Sequence, residues 1–266
     1  MSNKKDKKRK QKSGSESETR ADPKDIGPQK AAAGNTLEKK GSDYFMNYEL
    51  SWLKFNWRVL AQAEDESMPL LERIKFIGIV CSNLDEFLQK RIGGLKRQLH
   101  AGVSELSVDG RTPEQQLDEI REVVLKMIRA YRSCYFDDLL PKLAKEGVEI
   151  VLFNKLSDKL KKEAEEYFES QLYPIITPLA VDEAHPFPFI SNKSRSLAVK
   201  LKNPGSDEIL FARVKIPSNR PRWIKLKGEK SKTVLVSVSD IITQKIGRFF
   251  PGMEIESANL FRVTRN

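Results

Sequence analysis

Leu70, Ile74, Ile77, Cys81, Leu84, Leu88, Ile92, Leu95 and Leu99 recur at spacings of three and four without a gap. A stripe of that length predicts one amphipathic helix of about 30 residues, roughly 45 Å long at 1.5 Å per residue. Gly93-Gly94 interrupts helix propensity near its end and allows a close contact or a bend. The front of the chain should therefore be a layer of long antiparallel helices.

Signals on both sides support this. Asn47 is a plausible N-cap with Glu49 in the first turn, and Leu50, Leu53, Trp57 and Leu60 line one face of a helix that runs out near Asp65. Ser67 can cap the long helix, with Pro69 inside its first turn. After a loop over 100–111, Thr112-Pro113-Glu114-Gln115 reads as a capping box with proline at the first position. Leu117, Ile120, Val124, Met127 and Tyr131 continue that helix, which Pro141 disturbs and Gly147 stops. Val148 to Phe153 is extended, and Ser157 caps a helix to about Leu172.

The pattern changes after Tyr173. Pro174, Pro178, Pro186 and Pro188 forbid a continuous helix. Leu197, Val199 and Leu201 alternate with polar residues, as do Leu210, Ala212, Val214 and Ile216, with Asn203-Pro204-Gly205-Ser206-Asp207 between them; this predicts a β-hairpin. Thr233 to Val238 reads as a strand, Ser239 to Arg248 as a short helix, and Ala258 to Val263 as a last strand. That strand runs on to Asn266 with no turn or polar tail. Domains seldom stop in mid-strand, so a truncated chain is expected. The fold class is α+β.

Of the 266 residues, 39 % are hydrophobic and 32 % charged, enough for a sizeable core under a solvated surface. The formal charge of +10 is unevenly spread. Residues 1–43 hold 12 Lys/Arg against 7 Asp/Glu and almost no large apolar side chains, which predicts a disordered basic arm. The remainder is mildly basic and mixes both signs, as in Lys159-Leu160-Lys161-Lys162-Glu163-Ala164-Glu165-Glu166. A moderate positive field suits a polyanion without choosing one. No apolar run approaches a membrane span, and the lysine-rich start is no secretory signal. Cys81 and Cys134 are the two cysteines, with no CxxC, so a cytoplasmic location is expected.

Most catalytic constellations are absent: no phosphate loop, no GxGxxG, no HRD or DFG, no HExxH and no metal-spaced Cys/His cluster. His100 ends the long helix, where a cation favours the dipole. His185 lies in a stiff proline-aromatic loop and reads as structural. The informative oddity is Asn83 within Ser82-Asn83-Leu84-Asp85-Glu86-Phe87. Asparagine is a poor helix former, yet it stands in mid-helix, one position off the stripe, with Glu86 and Lys90 on its side. Its amide suits either a polar ligand or an inter-helix hydrogen bond.

Several motifs then carry a resemblance. Glu49-Leu50-Ser51-Trp52-Leu53, continuing through Phe55, Asn56, Arg58, Val59 and Leu60, resembles the opening of polyphosphate kinases. Pro69 to Phe76, Ser82 to Phe87 and Arg91 to Gln98 continue it in order. Ile176 to Asp182, His185-Pro186-Phe187-Pro188-Phe189 and Phe261 to Arg265 resemble the same family's second, head domain.

The resemblance implies reversible transfer of the terminal phosphate of ATP to inorganic polyphosphate, with Mg²⁺, through a phosphohistidine. It implies a helical N-terminal domain over 44–110 and a head domain over 111–266, cut short at its C-terminus. The family's ATP-contacting asparagine falls on Asn83. The phosphorylated histidine and the metal ligands belong to later domains without counterparts here. ATP and polyphosphate are thus the expected partners and a homo-oligomer the expected assembly, with no nucleic acid and a membrane-surface contact left open. The chain alone should be inactive. The competing readings are a basic polyanion- or nucleic-acid-binding protein, which would need basic clusters interleaved with aromatics, and a helical scaffold.

Overall fold

The computed structural model describes residues 41–181, 188–205, 208–228 and 232–265. The expected arm falls almost wholly outside these residues, as do His185 and the tip of the hairpin.

Three long helices form the first layer. α1 spans Tyr48–Glu64 and is capped as expected, the Asn47 side chain accepting from the Leu50 N–H at 3.0 Å. α2 spans Leu70–Phe87, passes through a π-helical turn at Leu88–Ile92, and continues as α3, Gly93–His100. The expected rod is therefore continuous from Leu70 to His100. Its start differs from expectation. Ser67 turns back, donating N–H and Oγ to the Asp65 carboxylate at 2.9 and 2.7 Å, so it caps nothing. Pro69 takes the N-cap position, outside the helix.

The buried face of α2 is also rotated from the expected stripe. Arg73, Ile77, Val80, Leu84 and Phe87 are buried, Leu70, Ile74, Cys81, Leu88 and Ile92 only half-buried, and Leu99 is exposed. The helix meets its neighbours along a broad face, and the π turn shifts the phase beyond Phe87.

α4 spans Pro113–Ser133 and starts at the predicted capping box, Thr112 and Gln115 bonding each other reciprocally. Cross-helix bonds fix the directions. Ala63 meets Arg73, Asn56 meets Val80, and Trp52 stacks on Phe87 at 4.7 Å, so α2 runs antiparallel to α1. Asn47 meets Gln116, Asn56 meets Met127 and Ala63 meets Cys134, so α4 runs parallel to α1. A π turn over Cys134–Leu139 leads into α5, Leu140–Lys145, with Pro141 in its first turn. A wider turn suits a proline that has no N–H to continue the ladder. Gly147, at φ +80°, ends the run.

The rest is mixed. β1 spans Val148–Ile150 and α6 Asp158–Tyr167, the latter prolonged by a π turn to Leu172. Ser157 holds the N-cap position but makes no side-chain cap bond. β2 (Pro178–Val181), β3 (Arg195–Lys202), β4 (Ile209–Lys215), β5 (Trp223–Leu226), β6 (Thr233–Ser237), α7 (Val238–Gln244) and β7 (Glu254–Arg262) follow. One sheet has the order β1-β6-β5, with β1 parallel to β6; the other is antiparallel, in the order β2-β4-β3-β7. The predicted hairpin is β3–β4, with Leu197 opposite Val214 and Leu201 opposite Leu210. β2, β5 and the parallel pairing were not foreseen. Pro178 and strands of four residues leave little alternation to read.

Apolar packing forms two clusters, one over Leu53–Leu139 and one over Phe153–Ile246. The sequence reading set a division at residue 110; Ile120, Val124 and Met127 of α4 nonetheless lie in the first cluster, because that helix closes on α1 and α2. No helix among the described residues is long and apolar enough to cross a membrane.

Candidate functional site

Asn83 sits in the C-terminal half of α2, about one turn before its end, half-buried and facing α1. Its partner is Asn56, which is wholly buried. The Asn56 amide nitrogen donates to the Val80 carbonyl at 3.2 Å and to the Met127 sulfur at 3.3 Å. That orientation turns the Asn56 oxygen towards α2, where it accepts from Asn83 Nδ2 at 3.0 Å. The Asn83 Oδ1 and second N–H have no partner among the described residues. The two open alternatives for this side chain are thus compatible: one N–H makes an inter-helix bond, and that bond aims the remaining donor and acceptor outward.

The surface around this amide is partly apolar. Ile79, one turn before Asn83 on α2, and Phe55, next to Asn56 on α1, are each nearly half exposed. One turn further on, Glu86 and Lys90 form an exposed i,i+4 pair, and the Lys90 ammonium, by hydrogen bond and charge, holds the Glu86 carboxyl below its usual range.

The opposite side of α2 carries Asp85. Its carboxylate receives both Arg262 terminal nitrogens at 2.7 Å, a bidentate clamp between the helical layer and β7. Beyond it, a cleft of about 370 Å³ is lined by Leu88, Gln89, Ile92, Lys96, Thr264 and Arg265. The Arg265 guanidinium stacks 4.4 Å over the Phe189 ring and bonds the Ile190 carbonyl.

Glu49 of the opening motif is a further unusual group. Its Oε2 is buried without a hydrogen bond, and Arg91 Nε stands 3.6 Å away, beyond bonding distance. Burial raises the Glu49 pKa, and the Arg91 charge only partly opposes the rise.

His100 lies exposed in the last turn of α3, remote from Asn83 in the sequence of the rod. Cys134 is buried and Cys81 half-buried, both as free thiols whose pKa values burial raises. Among the described residues no three His, Cys, Asp or Glu side chains converge as a metal site. Sequence reasoning missed Asn56 as the orienting partner. A second mid-helix asparagine was visible, but its pairing across 27 positions was not. It also missed the Asp85–Arg262 clamp, which joins residues 177 positions apart.

Comparison with known proteins fits this arrangement. Residues 45–151 match the model of the polyphosphate kinase N-terminal domain, and residues 159–266 that of the polyphosphate kinase middle domain. A Synechocystis polyphosphate kinase is 43 % identical over 239 residues, covering 87 % of this chain and 33 % of the relative. A polyphosphate kinase of Mycobacterium tuberculosis is 42 % identical over 250 residues, covering 90 % and 34 %. The crystal structure of polyphosphate kinase from Porphyromonas gingivalis superposes with a TM-score of 0.74 at 27 % identity, over 83 % of this chain and 33 % of that one. The chain spans about a third of the length of the curated relatives it matches. Two collinear domain matches and a shared fold establish that this chain belongs to the polyphosphate kinase family.

Proposed function

We propose that this chain forms the ATP-facing wall, and part of the subunit-assembly surface, of an enzyme that reversibly transfers the terminal phosphate of ATP to inorganic polyphosphate. The observation that carries the reading is the Asn83 amide, oriented by Asn56 and left, among the described residues, with one free acceptor and one free donor at a half-buried border. An amide offering that pair matches the adjacent donor and acceptor of an adenine edge. The exposed apolar side chains of Phe55 and Ile79 give a base a surface to lie against.

On this reading the rest of the machinery lies outside the chain. Phosphoryl transfer between polyanions needs several positive groups and a metal around the phosphates. Mg²⁺ would arrive with ATP and take its protein ligands elsewhere, as would the histidine that carries the phosphoryl group. The 266-residue chain alone then neither turns over nor retains phosphate from ATP.

The test uses a full-length enzyme carrying this segment. Asn83→Ala should raise KM for ATP about tenfold, the equivalent of one lost polar contact, while the polyphosphate dependence and the fold are kept. An unchanged KM for ATP removes Asn83 from the nucleotide site.

A further inference from the structure

α1 and α4 start at the same end of the helical layer, and the rod passes that end at Arg91, whose guanidinium lies 4.4 Å over the Tyr48 ring. Two chain segments close this end. Residues 41–47 lead into α1, and residues 101–112 lead from α3 into α4. They lie side by side. Asn47 donates to Asp109 at 3.2 Å and to Gln116 at 3.0 Å, and a Cβ placed on Gly110 would meet the Ser42 Cβ at 3.3 Å. The polar groups between the segments face inward: Asn47 is buried, and Asp109 also binds Ser107 and Arg111. The large apolar side chains face outward instead. Tyr44, Phe45, Met46 and Tyr48 are between 59 and 73 % exposed, Leu106 56 % and Val108 72 %.

Scattered exposed apolar residues are ordinary, but a cluster on two adjacent segments marks a surface that something covers. Shape and charge choose the occupant. These side chains stand on turns and at a helix start, not along a groove that would receive a partner helix. Tyr44, Phe45 and Tyr48 are aromatic, and a ring with a polar tip suits the boundary between lipid headgroups and acyl chains. The flanking charge is positive: Arg91, Lys96 and His100 are all exposed beside this end. The chain that leads into it is more basic still, since residues 4–12 hold seven Lys/Arg against one Asp. Apolar insertion and polybasic attraction are each weak alone, and stable attachment to an anionic surface takes both.

We propose that this end of the helical layer docks on an anionic phospholipid surface. Phe45, Met46 and Val108 enter the headgroup boundary with the rings of Tyr44 and Tyr48 beside them, and the basic stretch over residues 4–12 holds the chain against the negative charge. The protein then lies on the membrane and does not span it, as no helix among the described residues is long and apolar enough to cross. The proposal does not depend on Asn83 contacting ATP.

The test is flotation of the 266-residue chain with vesicles of phosphatidylcholine alone and of phosphatidylcholine with about one third phosphatidylserine. The anionic vesicles should carry the chain and the neutral ones should not. Two variants divide the contributions. One combines Phe45→Ser, Met46→Ser and Val108→Ser; the other combines Lys4→Gln, Lys5→Gln, Lys7→Gln and Lys8→Gln. Each should lower partition onto anionic vesicles about tenfold or more with unchanged circular dichroism, because every altered side chain of the first is exposed. Absence of binding by the parent chain overturns the proposal, as does equal binding to neutral vesicles. Parental binding by the apolar variant also overturns it, leaving the basic stretch as a polycation without a docking face. A dimer of the parent that the apolar variant loses, with no vesicle binding by either, would give the surface to a second copy instead.

Discussion

The helical layer and the seam beside it treat buried polarity in opposite ways. Inside the layer, Asn47, Asn56 and Arg73 are all buried, and each is tied to groups on a neighbouring helix or its end. Arg73 donates to the Ala63 carbonyl near the end of α1 at 2.7 Å and also grips Asp138. In the seam, where the layer meets the antiparallel sheet, half-buried Arg195 makes no side-chain hydrogen bond or ion pair among the described residues, and Arg222 is a like charge within electrostatic reach. Polar groups in the first region specify how the helices pack, because any other register would strand them. Those in the second make no such bond among the described residues.

This contrast can be broken in three places. The largest effect is expected at Arg73→Met, which keeps most of the apolar stem but loses both bonds and leaves the Ala63 carbonyl only the weak Cys134 thiol donor. It should cost about 3 kcal/mol in denaturant unfolding. A cost under about 1 kcal/mol would show that buried polarity does not organise the layer.

Glu49 is the exception within the layer, since its buried oxygen lacks a hydrogen bond. Its folded pKa lies above the ordinary 4.5, so the folded state favours the protonated form. That stability is present below the ordinary value and is lost as pH rises through the raised one. Glu49→Gln should therefore match the parent near pH 4 and melt about 1–3 °C higher near pH 7. A lower melting temperature at neutral pH would mean that Arg91 dominates after all.

The smallest effect should come from Arg222→Ala. Removing an exposed cation within electrostatic reach of another cation should leave stability within about 0.5 kcal/mol, or raise it slightly at low salt. A clear loss would show that Arg222 has a structural partner and would erase the contrast.

Much of this was legible beforehand. Thr112 and Gln115, Asn47 and the rod from Leu70 to His100 are local patterns, decided within a few turns of chain, and they stand where the sequence puts them. The β3–β4 hairpin is likewise local. The rotated face of α2 was not legible, because Arg73 looks polar until the Ala63 carbonyl and Asp138 satisfy it. Nor was the parallel pairing of β1, read as an extended segment, with β6 far along the chain. At the candidate site, Asn83 stood out because its residue type conflicts with its helix. Asn56 conflicts with its helix too, but only the crossing of α1 and α2 shows that the two conflicts resolve each other.

The sequence by itself determined the helical layer, the hairpin, the family motifs and the prominence of Asn83, since periodicity, caps and residue identity act over short distances. Tertiary structure alone decided which way the Asn83 amide points and that Asp85 clamps Arg262. Hydrogen bonding and charge depend on which groups distant segments bring within a few ångströms, and no local pattern in the chain encodes that proximity.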